Sequence, residues 1–297
     1  MGYILTLVAV LCSAVKGYFG KGVSAEIKTS SDAVLISTVR MAICSAIGFV
    51  IILFSGNLSQ FKIETLTLPI FILSGASTAL FIIFWLLSVK GETFVLLEAF
   101  TSAGVIVPIF LSIIFLGEPV KLTQILGVIF IIVAVTIMSL PSKGVHLKIS
   151  VKSLLSLSAA GAACGMCDFS QSLYITKTAV PNITAFNFYT YLFSTLILFV
   201  FLLVTFKKST TADTKRNSFA KILGYVSIMA LAMFVYSFVK TKAAISLSSA
   251  ILYPLYQGLW LITTFIISAV FFKEKVTAKN IIGISITFIA LLIINLL

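Results

Sequence analysis

The sequence predicts an all-α integral membrane protein: ten transmembrane helices forming two inverted-topology five-helix repeats around a central cavity. Composition, the number of apolar runs and a weak internal repeat predict it. Of the 297 residues, 60% are hydrophobic and 10% charged, and mean hydropathy is +1.18. Soluble domains carry about 25% charged residues. Nearly all of this chain therefore belongs in a bilayer.

A membrane-spanning helix needs about 20 predominantly apolar residues. Apolar runs meet that length at 2–21, 33–55, 66–89, 93–116, 121–140, 151–176, 183–206, 220–239, 243–272 and 277–297. The first run lacks a basic leader and a small-residue cleavage site before Lys16, so it reads as a retained helix. The longest break, KKSTTADTKRNSFAK (207–221), is a polar loop with no room for a soluble domain.

Formal net charge is +12, but the basic residues sit at helix ends and form no patch with interleaved aromatics, which argues against nucleic acid. They divide unequally between the two membrane faces. Loops on the face that carries the N-terminus hold five: Lys62, Lys121, Lys177, Lys240 and Lys242. Loops on the opposite, basic face hold fourteen. The positive-inside rule then puts the basic face in the cytoplasm and both termini outside.

Sliding the chain by 152 residues aligns Cys12 with Cys164, Thr38 with Thr190, Phe54 with Phe206, Ile70 with Ile222 and Lys90 with Lys242. Beyond the fourth run the offset becomes 156, matching Glu118 to Glu274, Val120 to Val276, Gly127 to Gly283 and Ala134 to Ala290. An extra helical turn in the ninth run explains the change. The repeats occupy residues 1–143 and 150–297. An odd number of spans per repeat forces them into opposite orientations, the layout of secondary transporters with a midplane site between repeats. In GEPVKLTQILGVIFIIVA (117–134) and KEKVTAKNIIGISITFIA (273–290), Glu118 and Glu274 stand where a carboxylate complements a helix N-terminus. Gly127 and Gly283 permit close helix contact. All four read as structural.

These duplicated corners, the ten runs and Arg40 within STVRMAICSAIGFVII resemble the drug/metabolite transporter superfamily, in its ten-helix EamA-like branch. The resemblance implies a secondary transporter whose cavity is lined by spans 1, 3, 4, 6, 8 and 9, with the fifth span of each repeat peripheral. It also gives Arg40 a structural role and usually places both termini in the cytoplasm, against the loop count.

At the 152 offset Lys16 aligns with Asp168, giving opposite charges at equivalent places in spans 1 and 6. Each alone costs about 2.5–3.5 kcal/mol at a helix centre. The expected arrangement is a Lys16–Asp168 ion pair at the cavity, in competition with substrate charge or a proton on Asp168. A permanent packing salt bridge, or a Lys16 that snorkels to the surface, remains open. Glu98 in span 4 is a third ionisable candidate. Trp85, Gln171, Tyr174 and Tyr236 add polar handles to the cavity, and Tyr253, Tyr256, Gln257 and Trp260 share one face of span 9. Gly104 with Pro108, and Gly258 with Pro254, are candidate hinges, since proline frees a helix carbonyl.

Cys12, Cys44, Cys164 and Cys167 read as small packing residues, so neither disulfide nor metal site is expected. The sole histidine, His146, sits in a loop. With no nucleophile–base pair, phosphate loop or filter-like ring of charge, enzyme, ATP-driven pump and channel are all disfavoured. The expectation is a secondary active transporter in the plasma (cell inner) membrane, monomeric and without cofactor. Its substrate is a small polar or amphipathic organic metabolite, with an amino-acid-like zwitterion favoured and a proton or other ion as a coupling partner. Export of hydrophobic organic cations, or translocation of a lipid carrier, is the alternative.

Overall fold

The computed structural model describes residues 1–24, 26–27, 29–56, 61–91, 94–139, 151–206, 216–273 and 277–296. These residues form helices joined by turns and loops, with no strand among them. The helices are α1 (Gly2–Ser24), α2 (Ser30–Phe54), α3 (Leu68–Gly91), α4 (Phe94–Ala103), α5 (Ile106–Leu116), α6 (Leu122–Ser139), α7 (Val151–Lys177), α8 (Ile183–Phe206), α9 (Arg216–Ala243), α10 (Ser249–Val270) and α11 (Ala278–Leu296). Glu274, His146 and most of the loop lysines on the basic face lie outside the described residues.

Seven spans are long and apolar enough to cross a membrane, and α6 and α11 are shorter apolar helices. The helix outside both groups is α7, rich in Ser, Ala and Gly. Its neighbours explain that composition: α7 packs on α3, α4, α5, α9 and α10, so much of it faces protein rather than lipid. Small residues allow that close approach. A Cβ on Gly104 would run into the carbonyl oxygen of Gly161, and one on Gly165 into that of Gly104.

The fourth apolar run is one span in two segments, α4 and α5. Pro108 has no N–H for the carbonyl of Gly104, four residues earlier. That carbonyl instead accepts from the Val107 amide at 3.0 Å, and two further i to i+3 bonds close the turn at Thr101–Val105. Pro254 lies inside an unbroken α10.

Helix neighbours obey the repeat. Spans 1 and 8 (α1, α9) pack together, as do their equivalents, spans 6 and 3 (α7, α3). Spans 2 and 7 (α2, α8) pair with each other, and so do spans 5 and 10 (α6, α11). At the last of these seams a Cβ on Gly127 would meet Ile294 and the Ala290 carbonyl, and one on Gly283 would meet Met138 and the Ala134 carbonyl.

Candidate functional site

Asp168, two-thirds along α7, forms an ion pair with Lys240 at the end of α9, and each side chain is 1% exposed. Helical side chains lean toward the N-terminus of their helix. Lys240 therefore reaches back into the membrane, while Lys242, two residues on, is exposed. The Lys240 ammonium donates to the Tyr236 hydroxyl at 2.6 Å. It lies 4.8 Å from the centroids of the Tyr236 and Tyr256 rings and 5.7 Å from that of Tyr253. A carboxylate and three electron-rich faces thus surround one ammonium, an arrangement selective for cationic nitrogen. The second carboxylate oxygen of Asp168 and the amide oxygen of Gln171 are buried without a hydrogen-bond partner among the described residues.

This corrects two sequence expectations. Lys240 is no loop residue, and the ion-pair partner of Asp168 is Lys240 rather than Lys16. A two-fold axis in the membrane plane exchanges the faces, so repeat-equivalent residues sit at mirrored depths. Lys16 is eight residues from the basic-face end of α1, about 12 Å, and Asp168 nine from the opposite end of α7, about 14 Å. Part-buried Lys16 instead lies 4.8 Å from the Tyr236 ring centroid and 5.9 Å from that of Phe81.

Glu98 forms a second centre, toward the basic face. Its Oε1 accepts from the Trp85 indole at 2.7 Å and its Oε2 from the Trp260 indole at 2.6 Å. Thr101 donates to Oε2 at 2.9 Å. One buried carboxylate thereby ties α3, α4 and α10 together. Trp85 also fills the space beside α1, where a Cβ on Gly20 would sit 2.6 Å from the ring. The Tyr236 and Tyr256 rings, 5.5 Å apart, lie between the two centres, and Tyr256 shares a 2.7 Å hydrogen bond with Ser13 on α1.

Beside the Asp168–Lys240 pair is a cavity of about 30 Å³, lined by Thr78, Cys167, Asp168, Gln171, Tyr236 and Lys240 among others. Its walls come from α3, α7, α8 and α9, so span 7 joins those implied by the family resemblance. At the N-terminal face lies an open vestibule of about 470 Å³, bordered by Lys62, Glu64, Thr178 and Lys242. Four rings separate the two spaces. Tyr174 stacks on Phe186 at 4.7 Å and Phe71 on Tyr189 at 5.0 Å; Phe186 lines the inner cavity and the other three the vestibule.

Residues 1–140 and 152–296 each match the EamA-like transporter family. The chain belongs to that family. Its bundle is similar to a solved structure described as "Crystal structure of protein", with a TM-score of 0.71 and 9% identity over 99% of this chain and 96% of the other. That likeness concerns the fold alone. No curated protein matches.

Other residues of this EamA-like transporter act as connectors. Tyr253 donates to the backbone carbonyl of Asp168 at 2.6 Å and bonds Ser172 at 2.8 Å, and Ser172 bonds Ser249 at 2.7 Å. Glu118 accepts from the Ser249 amide at 2.9 Å and hydroxyl at 3.0 Å, so it caps α10 rather than its own α6. Gln257 donates to Cys164 at 3.6 Å. Tyr174 holds Asn182 through its hydroxyl. A Cβ on Gly258 would strike Leu291 of α11, which gives this glycine a packing reason beside its candidacy as a hinge. Arg40 is buried in α2, its Nε without a hydrogen-bond partner among the described residues. Sequence reasoning missed Lys240, Phe71, Phe186 and Tyr189. Only Lys240 carried a readable signal: Tyr236 one turn earlier, on the side to which a helical lysine leans.

Proposed function

We propose that this EamA-like protein is a secondary transporter of small amphipathic zwitterions, with the Asp168–Lys240 pair as the charge that substrate replaces. The observation that carries this is the pair itself, buried beside two acceptors without a hydrogen-bond partner among the described residues, Asp168 Oδ2 and Gln171 Oε1. Removing one partner from a buried ion pair costs about 3–5 kcal/mol, because the other charge stays behind. A lone cation drawn to Asp168 strands Lys240, and a lone anion on Lys240 strands Asp168. A zwitterion avoids both penalties. Its ammonium takes the place among the tyrosine rings beside Asp168 and Gln171, while its carboxylate goes to Lys240. A cavity of about 30 Å³ holds no more than about one water, so substrate admission requires the aromatic layer to part, as alternating access demands. In this reading the termini lie outside; moving Lys240 from loop to helix removes one of the five basic residues counted on their face.

The three rings around the Lys240 ammonium favour a second reading, transport of hydrophobic organic cations, with Lys240 displaced outward. Liposomes containing the purified protein separate the two. A panel of aromatic and aliphatic amino acids, organic cations and nucleosides is assayed with and without a pH gradient, for wild type, Asp168→Asn and Lys240→Met. The zwitterion reading expects amino-acid flux in wild type and at least about 100-fold loss in both variants, the factor matching about 3 kcal/mol. Cation flux that survives Lys240→Met selects the second reading. Wild-type flux in both variants removes the pair from the mechanism.

A further inference from the structure

The Trp85–Glu98–Trp260 cluster lies apart from the Asp168–Lys240 pair and has its own chemistry. Glu98 is four residues into α4 and Trp85 six from the end of α3, so both stand within about 10 Å of the basic-face helix ends. All three side chains are buried, and the carboxylate accepts a bond on each oxygen from a different helix. An ionised carboxylate only accepts hydrogen bonds and an indole only donates. Both indole bonds are therefore charge-assisted only while Glu98 is ionised.

We infer that Glu98 is a proton-binding latch, and that its protonation releases Trp260 and loosens the closure toward the basic face. Oε2 is shared by Trp260 and the Thr101 hydroxyl. A proton on Oε2 turns that oxygen into a donor. The Thr101 hydroxyl can rotate and accept it, and the Trp260 N–H is left with a neutral acid oxygen, a much weaker acceptor than a carboxylate. Oε1 stays a carbonyl-type acceptor and keeps Trp85. The latch thus opens at α10, the helix that also carries Tyr253 and Tyr256 to the central site, and α4–α10 contact weakens while α3–α4 contact persists. Among described side chains, the titratable groups on helices packed against α4 are Tyr253 and Tyr256 on α10 and Cys164, Cys167, Asp168, Tyr174 and Lys177 on α7, with none on α3 or α6; α1, packed against α3, adds Tyr3, Cys12, Lys16, Tyr18 and Lys21.

The chain has two tryptophans, and both bind Glu98. Intrinsic fluorescence of the full-length protein in lipid nanodiscs therefore reads the latch directly, without substrate. Acidification of wild type is expected to red-shift emission and raise acrylamide quenching. Glu98→Gln should show the acid-like emission at every pH, with no titration. Trp85→Phe, which leaves Trp260 as emitter, should keep the whole shift, and Trp260→Phe should lose it. Wild-type emission unchanged on acidification, or a Glu98→Gln protein that still titrates, overturns the latch. A shift carried by Trp85 rather than Trp260 overturns the release of α10. Wild type and the two tryptophan variants decide the matter even if Glu98→Gln fails to fold. The latch rests on the transporter reading only for what its opening serves, so a failed flux assay and a failed fluorescence assay are separate results.

Discussion

At the N-terminal face four aromatic rings separate vestibule from cavity, whereas toward the basic face a carboxylate binds two indoles across three helices. The backbone repeat does not explain this difference. At the 152 offset Glu98 corresponds to Ala250 and Trp85 to Ser237, while Phe71 corresponds to Leu223 and Tyr174 to Gly22. Duplication supplied two equivalent gaps between helices, and side chains filled them with unlike chemistry. Ring contacts are a sum of many weak atom pairs, so such a closure yields by degrees. A charge-assisted hydrogen bond weakens when its carboxylate takes up a single proton. An inverted repeat with identical closures would respond alike from both faces; under the proposed latch, unlike closures would let one face answer to substrate and the other to pH.

The contrast breaks most visibly at Phe186, which is 1% exposed. Phe186→Ala is expected to cost about 3–5 kcal/mol, reduced to the extent that water fills the gap from the vestibule. With Cys12, Cys44 and Cys164 replaced by Ala, a membrane-impermeant thiol reagent added at the N-terminal face should then label Cys167 in the inner cavity. Labelling no faster than with Phe186 intact would mean the rings are not the barrier. Next in size, Trp260→Phe removes a bond to a charged group, worth about 1.5–3 kcal/mol, and Tyr189→Phe a neutral bond to the Phe61 carbonyl, worth about 0.5–1.5 kcal/mol. Thermal unfolding in detergent compares them. If Tyr189→Phe proves the costlier, the polar closure is no stronger than the aromatic one.

The fold was legible because bilayer physics writes it in long runs: length and hydropathy mark spans, and sparse collinear matches mark the duplication. The site was half legible. Asp168, Glu98, Trp85, Tyr236, Tyr253, Tyr256 and Trp260 stand out as polar or amphipathic groups in apolar helices. Their grouping was not readable, because the repeat equates positions across an axis that exchanges depths. That is why Lys16 was matched with Asp168. Lys240 looked like a loop lysine because hydropathy registers where a Cα sits and not where a four-carbon side chain reaches. Phe71, Phe186 and Tyr189 were hidden among 26 phenylalanines and 9 tyrosines, where residue type carries no information about position. The split of span 4 was nearer the surface of the sequence, since Pro108 names the carbonyl it frees.

The smallest effect concerns the seam where the two repeats kept the same glycine and alanine but changed the side chain that faces the glycine. Gly127 faces Ile294 and the Ala290 carbonyl, and Gly283 faces Met138 and the Ala134 carbonyl, so the contact is reproduced on both sides of the axis. Adding a methyl group overpacks each seam by about 1–3 kcal/mol, against a gain of about 0.8–1.0 kcal/mol in helix propensity. Gly127→Ala and Gly283→Ala should each lose no more than about 2 kcal/mol. Gly283→Ala should be the milder, because an unbranched Met138 yields where a β-branched Ile294 does not. Paired thermal unfolding curves test this. A large gap between the two, with Gly283→Ala the worse, would mean that the seams have diverged as far as the closures, and that the symmetry of the backbone no longer governs packing even where the sequence repeats itself.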